Sequence, residues 1–139
     1  MMRAALLPGV LALVLFTTLS VAFTPGDPVR GEKVFRKCKA CHSIEAGRNR
    51  PAGPNLLGLF GRQAGTADYR FSTSMIEAGE AGLVWTPERV DAYIADPKAF
   101  LKETLGVSRV RNKMVFRLKD GDQRADVIAF LMSLEEEDP

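Results

Sequence analysis

Apolar residues recur at intervals of three and four in several stretches of this chain, and no stretch alternates apolar and polar in the manner of a strand. The first periodic stretch predicts a helix from about Pro28 to Lys39. Asp27 suits its N-cap and Pro28 its first turn, and Gly31, Val34, Phe35 and Cys38 share one face. A short helix is expected from Ser72 to Ala78. A stronger one starts at Thr86-Pro87, with Val90, Tyr93 and Ile94 on one side. Asp96-Pro97 ends it and opens another, which Gly106 closes. Asp120 and Gln123 then form a capping-box variant for a terminal helix that runs to about Ser133, with Val127, Ile128, Phe130, Leu131 and Leu134 apolar. The fold class is all-α, about five helices separated by long loops.

Between Ser43 and Arg70 the periodicity disappears. Glycines and prolines punctuate the segment, yet Leu56, Leu57, Leu59 and Phe60 are apolar. A structureless loop of this length is unusual inside a compact domain and generally wraps something or carries function. Its apolar run needs a surface to bury against, which points to a large apolar ligand. The stretch "GVSRVRNK" is read as a second loop, and the acidic end "EEEDP" as a frayed tail.

The amino terminus has a different character. One positive charge, Arg3, precedes an apolar stretch from Ala4 to Leu19, and the small residues Ser20-Val21-Ala22 follow. This is the layout of a secretory signal over residues 1–22, leaving 23–139 as one domain. An uncleaved anchor is the rival, because about 20 apolar residues span a bilayer. The 139-residue length and 46% hydrophobic content suit one domain with a real core. The net charge of +2, reduced to +1 if Arg3 is removed with the leader, is mixed along the chain and gives no nucleic-acid-binding arm.

Chemistry is concentrated in one place. Cys38 and Cys41 are the only cysteines and His42 is the only histidine. C-x-x-C-H is the attachment signature of c-type haem. Cysteines three apart present two sulfurs to two vinyl groups of one macrocycle, and the adjacent His42 is placed to ligate its iron. A disulfide of this spacing closes a tiny loop and stabilises little. A thioredoxin-like pair needs a βαβ context. A structural zinc site needs four ligands, and the cluster offers three. The cofactor expected is one covalently bound haem c.

With a single histidine, a second axial ligand falls to methionine. Met1 and Met2 belong to the leader, and Met132 sits at core spacing in the terminal helix. Met75 lies in the short predicted helix, where packing is the simpler reading. Met114 stands on a loop before Val115-Phe116 and is favoured, with Met75 next. A methionine ligand raises the reduction potential relative to a second histidine.

Several stretches, in order, resemble one family: "GEKVFRKCKACHS", "GPNLLGLFGRQAG", "GLVWTPERVDAYIADPKAF", "NKMVF" and "RADVIAFL". The chain is identified as similar to class I cytochrome c over about residues 27–134, closest to the longer periplasmic members of photosynthetic and denitrifying bacteria. The resemblance implies thioethers at Cys38 and Cys41 and iron ligation by His42 and Met114. It also implies a hydrogen bond from His42 Nδ1–H to the Pro54 carbonyl, and propionate contacts from Arg62 and Trp85. Gly31 and Phe35 would interlock with Val127 and Phe130. Two departures stand out. The approach to Met114, "LKETLGVSRVRNKM", is several residues longer than in the short family members. Phe71 occupies the place of a propionate-binding tyrosine, a role that Tyr69 is the candidate to take over.

The function expected is that of a monomeric periplasmic one-electron shuttle, not an enzyme. It would carry electrons from a cytochrome bc complex to a photosynthetic reaction centre or terminal oxidase. Lys37, Lys39, Lys98 and Lys113 are expected to ring the exposed haem edge and steer acidic partners. A membrane-tethered carrier is the alternative. A haem enzyme or ligand sensor would need an open iron site and polar groups beside it, and the chain has no second histidine to supply them.

Overall fold

The structure, a computed structural model, describes residues 25–136. The expected leader and the last three residues lie outside the described part. The elements are α1 (Pro28–Phe35), α2 (Thr73–Glu80), α3 (Pro87–Ala95), α4 (Pro97–Leu105) and α5 (Gly121–Glu136). Among the described residues there is no strand. The closest approach to one is a pair of isolated bridges, Arg50 to Gly53 and Gln63 to Val84. No described helix is long and apolar enough to cross a membrane.

The helix boundaries follow local chemistry. Asp27, Ser72, Thr86 and Asp96 each accept a bond from the backbone N–H three residues on, and so satisfy one of the orphan donors of a first turn. Asp96 closes α3 as well as opening α4, which leaves no linker between them. Gly106 ends α4 in the left-handed region with φ 65°, where a Cβ would be strained. The Asp120–Gln123 cap is present with one change. The Gln123 side chain reaches the Asp120 carboxylate rather than its backbone N–H.

Three helix ends differ from expectation, α2 running two residues past Ala78 to Glu80. α1 stops at Phe35 instead of Lys39, because the next bonds tighten to the i→i+3 pattern: Lys37 N–H to Val34 O at 3.0 Å and Cys38 N–H to Phe35 O at 2.8 Å. At the other end α5 continues to Glu136. Glu135, read as part of a frayed tail, instead accepts the Phe60 N–H at 3.0 Å and ties α5 to the long loop. Met132, expected at a core position, points outward and is 43% exposed.

The helices pack by one close crossing. A Cβ built on Gly31 of α1 would lie 1.9 Å from the Asp126 carbonyl oxygen and 2.7 Å from Phe130 Cβ on α5. Only glycine lets the two backbones approach this closely. Phe35, fully buried, meets Phe130 at 5.5 Å between ring centroids, and Val127 is buried beside them, in agreement with the expected interlock. The buried Asp126 side chain fastens the same crossing. It accepts bonds from the Asp27 backbone N–H at 2.7 Å, from Arg30 Nε at 2.8 Å and from Arg30 Nη2 at 2.8 Å.

The Arg30 hydrogen bonds, followed by the Asp27 N–H, hold the Asp126 carboxyl below the usual aspartate range. A depressed carboxyl pKa stabilises the fold fully above the unfolded value of about 4, and that contribution is lost as pH falls through the folded value. Asp126→Asn therefore lowers the unfolding midpoint at pH 7. It also flattens the loss of stability between about pH 4 and pH 2. Denaturant unfolding of both proteins across that range measures the difference, and parallel curves would show that this carboxylate does not set the acid limit.

Candidate functional site

The tightened turn after α1 carries the cysteines. Cys41 N–H and His42 N–H both donate to the Cys38 carbonyl, at 3.1 and 2.9 Å. Both thiols are free. Burial, only partly offset by Lys37, pushes the Cys38 thiol up to about 11, so it is a protonated thiol and not the low-pKa thiolate of a redox pair. Among the described residues there is no group of three or more His, Cys, Asp or Glu placed to hold a metal ion.

His42 is held by two neighbouring loop residues. Its Nδ1 lies 2.8 Å from the Pro54 carbonyl oxygen. A carbonyl only accepts, so Nδ1 carries the hydrogen and the Nε2 lone pair is left to act as a ligand. Burial lowers the His42 pKa, the Pro54 bond opposes it, and the net effect favours the neutral ring. Gly53 packs against the imidazole as well. A Cβ there would sit 2.7 Å from His42 Cε1 and 2.9 Å from Nδ1.

Pro54 is itself held by the loop. Asn55 Nδ2 donates to the carbonyls of Glu45 at 2.7 Å and Arg48 at 2.9 Å, and its Oδ1 accepts the Leu57 N–H at 2.8 Å. One side chain thus replaces the regular hydrogen bonding that the segment lacks. Farther along, the loop pairs with the chain before α3. Gly61 N–H and Trp85 N–H donate to the Trp85 and Arg62 carbonyls at 2.8 and 2.9 Å. This pairing makes Arg62 and Trp85 neighbours although they are distant in sequence.

These residues face one predominantly apolar cleft of about 220 Å³. Cys38, Cys41, His42 and Met114 all line it, as do Pro54, Arg62, Trp85 and Tyr69. The structure thus gathers every expected cofactor-binding residue into one place. Arg62 also donates to the Asn55 carbonyl at 2.9 Å and to the Leu57 carbonyl, and burial lowers its pKa. The Tyr69 hydroxyl donates to the Ala52 carbonyl at 3.3 Å, and its ring meets Phe71 edge-on at 5.0 Å.

Met75 lines the same cleft from α2, where it is 6% exposed. Met114 is half-buried on an irregular segment and fixed by Asn112, which accepts the Met114 N–H at 3.3 Å and donates to the Met114 carbonyl at 2.6 Å. Tyr93 lines the cleft as well, packed on Trp85 at 5.1 Å and Phe100 at 5.7 Å, and burial raises its pKa.

Sequence reasoning treated Tyr93 as a helix-face residue and missed the parts played by Gly53, Asn55 and Asn112. The Asn55 and Asn112 turns have a local signal, an Asn two residues before the N–H it accepts. Gly53 has none without the fold. The expected docking lysines are all exposed. Two of them have intramolecular partners. Lys37 Nζ donates to Gln123 Oε1 at 2.7 Å, while Lys113 donates to the Arg70 carbonyl and lies 5.2 Å over the Tyr69 ring.

Two cysteines that share no disulfide, an imidazole locked in one tautomer and an apolar, aromatic-lined cradle fit a covalently held haem. An all-helical chain wound around such a cradle has the form of a c-type haem protein. The comparisons with known proteins give the same answer. The cytochrome c family profile matches residues 28–135. Cytochrome c-551 of Roseobacter denitrificans is 46% identical over 132 residues, covering 89% of this chain and 94% of that protein. Cytochrome c2 of Rhodospirillum rubrum is 41% identical over 135 residues, covering 96% and 99%. The solved structure of cytochrome c2 from Rhodospirillum centenum has a TM-score of 0.74 at 44% identity, covering 78% of this chain and 98% of that one. The chain belongs to the cytochrome c family. It carries one covalent haem c and serves in electron transfer, not as an enzyme.

Gly53→Ala forces its new Cβ onto the His42 ring and the Cys41 carbonyl, at 2.7 and 2.8 Å. Overpacking against backbone costs about 1–3 kcal/mol. Gly47 is the control, because at φ 69° with open space around it Gly47→Ala carries only the backbone penalty. Guanidinium unfolding of the haem-loaded variants measures both. A shifted Soret spectrum is expected for Gly53→Ala alone.

Proposed function

We propose that this chain is an exported one-electron carrier in which Cys38 and Cys41 would form the haem thioethers and His42 and Met114 would ligate the haem iron. The observation that carries the assignment is the single cleft lined by both thiols, the only imidazole and Met114. Haem bound there supplies reversible one-electron chemistry at its iron. The chain's residues set the conditions for it. Burial keeps His42 neutral, and the Pro54 carbonyl fixes the tautomer with Nε2 available, orients the ring and raises its basicity as a ligand. Arg62 and Trp85, paired through their backbones, hold a propionate, with Tyr69 assisting in place of the residue that Phe71 displaces. The apolar lining limits water around the iron, so little reorganisation accompanies a change of charge.

Residues 1–22 act as the export signal and the mature chain works in the periplasm. It takes electrons from a cytochrome bc complex and delivers them to a photosynthetic reaction centre or terminal oxidase. Relatives named cytochrome c2 and c-551 support that placement. Lys37, Lys39, Lys98 and Lys113 form the face that meets acidic partners. With a net charge near +1 after export, the attraction comes from how charge is distributed, not from its total.

Two measurements test these assignments. Met114→Ala abolishes the weak methionine–iron charge-transfer absorption of the oxidised protein. Survival of that band would transfer the ligand role to Met75. Raising ionic strength from about 10 to 150 mM shortens the screening length from roughly 30 to 8 Å. The second-order rate of reduction by a purified bc complex then falls severalfold. A rate indifferent to salt removes the lysine face from the mechanism.

A further inference from the structure

Met114 lines the haem cleft as the proposed axial ligand, and the role assigned below to its neighbour Asn112 rests on that proposal. The segment that delivers Met114 is the longer approach from Gly106 to Lys113. Its far end is pinned on both sides of Asn112. The Arg111 N–H donates at 2.9 Å to Oγ of Ser74, a buried residue of α2. Lys113 donates to the Arg70 carbonyl. Beyond Met114 the chain turns outward, with Val115 89% exposed, and is next fastened by the exposed Arg117–Asp96 ion pair at 3.4 Å and by Leu118 N–H, which donates to the Ile94 carbonyl at 2.8 Å. Between these anchors, among the described residues, the peptide groups of Met114 bond to one side chain, that of Asn112.

The arrangement needs a carboxamide. Oδ1 accepts the Met114 N–H while Nδ2 donates to the Met114 carbonyl, so one planar group braces the residue on both sides of its Cα. Turning the amide over would set oxygen against oxygen at 2.6 Å, and the two partners therefore fix its orientation. Aspartate keeps the acceptor and loses the donor. Alanine loses both. A methionine has three rotatable bonds and its thioether is a weak, polarizable donor. The backbone from which it projects decides how much freedom is lost when the sulfur reaches a metal, and a braced backbone lowers that cost.

We infer that Asn112 is the positioning residue for Met114: by holding the methionine's own N–H and C=O, it sets how firmly the thioether competes with other ligands for the sixth site. Asn112 touches the ligand's backbone and acts through Met114.

The test titrates imidazole into the oxidised, haem-loaded wild type, Asn112→Ala and Asn112→Asp. Imidazole nitrogen takes the sulfur's place on the iron with no change of oxidation state, so its apparent affinity reports the fraction of protein in which the thioether has left. Each lost hydrogen bond is worth about 0.5–1.5 kcal/mol. Apparent imidazole affinity is therefore expected to rise roughly two- to tenfold in Asn112→Asp, which loses one bond, and roughly tenfold or more in Asn112→Ala, which loses both, with a weaker methionine–iron band in each, while the guanidinium midpoint falls by no more than the lost bonds account for. Asn112→Asp, nearly the same size, carries the test if Asn112→Ala does not accumulate. Affinities within twofold of wild type and an undiminished band overturn the inference alone. A wild type that lacks the band overturns the ligand assignment and this inference with it.

Discussion

The crossing of α1 and α5 is the constraint on which the other elements depend. Gly31 lets α1 lie with its backbone against the Asp126 carbonyl, and the Asp126 side chain binds both the start of α1 and Arg30. This contact fixes where the end of α1 lies in the fold. Phe35, locked against Phe130, is the last helical residue, and the cysteine turn begins directly after it. The position of two thiols and an imidazole is thus inherited from a helix–helix contact on the opposite side of Phe35. The loop from Ser43 onward then needs only a few local staples to bring Pro54 and Gly53 against the ring.

The sequence spoke most clearly where a signal is local and chemical. Asp96 before Pro97 marks a shared cap, Gly106 a left-handed exit, and C-x-x-C-H a covalent cofactor, and the structure carries the first two as read. The family resemblance supplied the His42–Pro54 bond and named Arg62 and Trp85 as propionate contacts, which periodicity alone does not reveal; the backbone pairing of Arg62 with Trp85 is visible only in the fold. The end of α1 was misjudged because Lys37 to Lys39 are acceptable in a helix. The switch to shorter bonds comes from the demands of the turn after them. Glu135 was read as tail because nothing in "EEEDP" signals that the Phe60 amide lies within its reach. Gly53 stayed hidden for a related reason. A glycine chosen for closeness to a ring 11 residues away in sequence looks like any loop glycine until the chain is folded.

Charge is used here for internal bracing as much as for display. Arg30, Arg124 and Lys37 each reach from one element to another. Arg124 bonds Asp91 at 2.8 Å and the carbonyls of Leu118 and Lys119, joining α5 to α3 and to the chain after the methionine. A basic side chain at the rim of the cleft therefore has two competing uses, holding a neighbour or meeting another molecule. Lys37 and Lys113 are already engaged, and recruiting them to an interface costs their present hydrogen bonds. Exposed ion pairs and bonds of this kind are individually weak, so that cost is modest.

The exit from α4 has a consequence for how this chain tolerates change. Gly106 turns away with nothing within 4 Å of the place where a side chain would stand, Val107 N–H returns to the Lys102 carbonyl at 3.1 Å, and Arg111 is fastened to Ser74. Ser108 and Arg109 lie exposed between those fixed points. Chain length there is decoupled from the metal-side geometry. Loop-closure entropy grows slowly with added residues, about 0.6 kcal/mol per doubling. The segment is consequently a natural splice point, where an affinity peptide, a fluorescent label or a longer lineage-specific loop can be accommodated without moving the methionine it precedes.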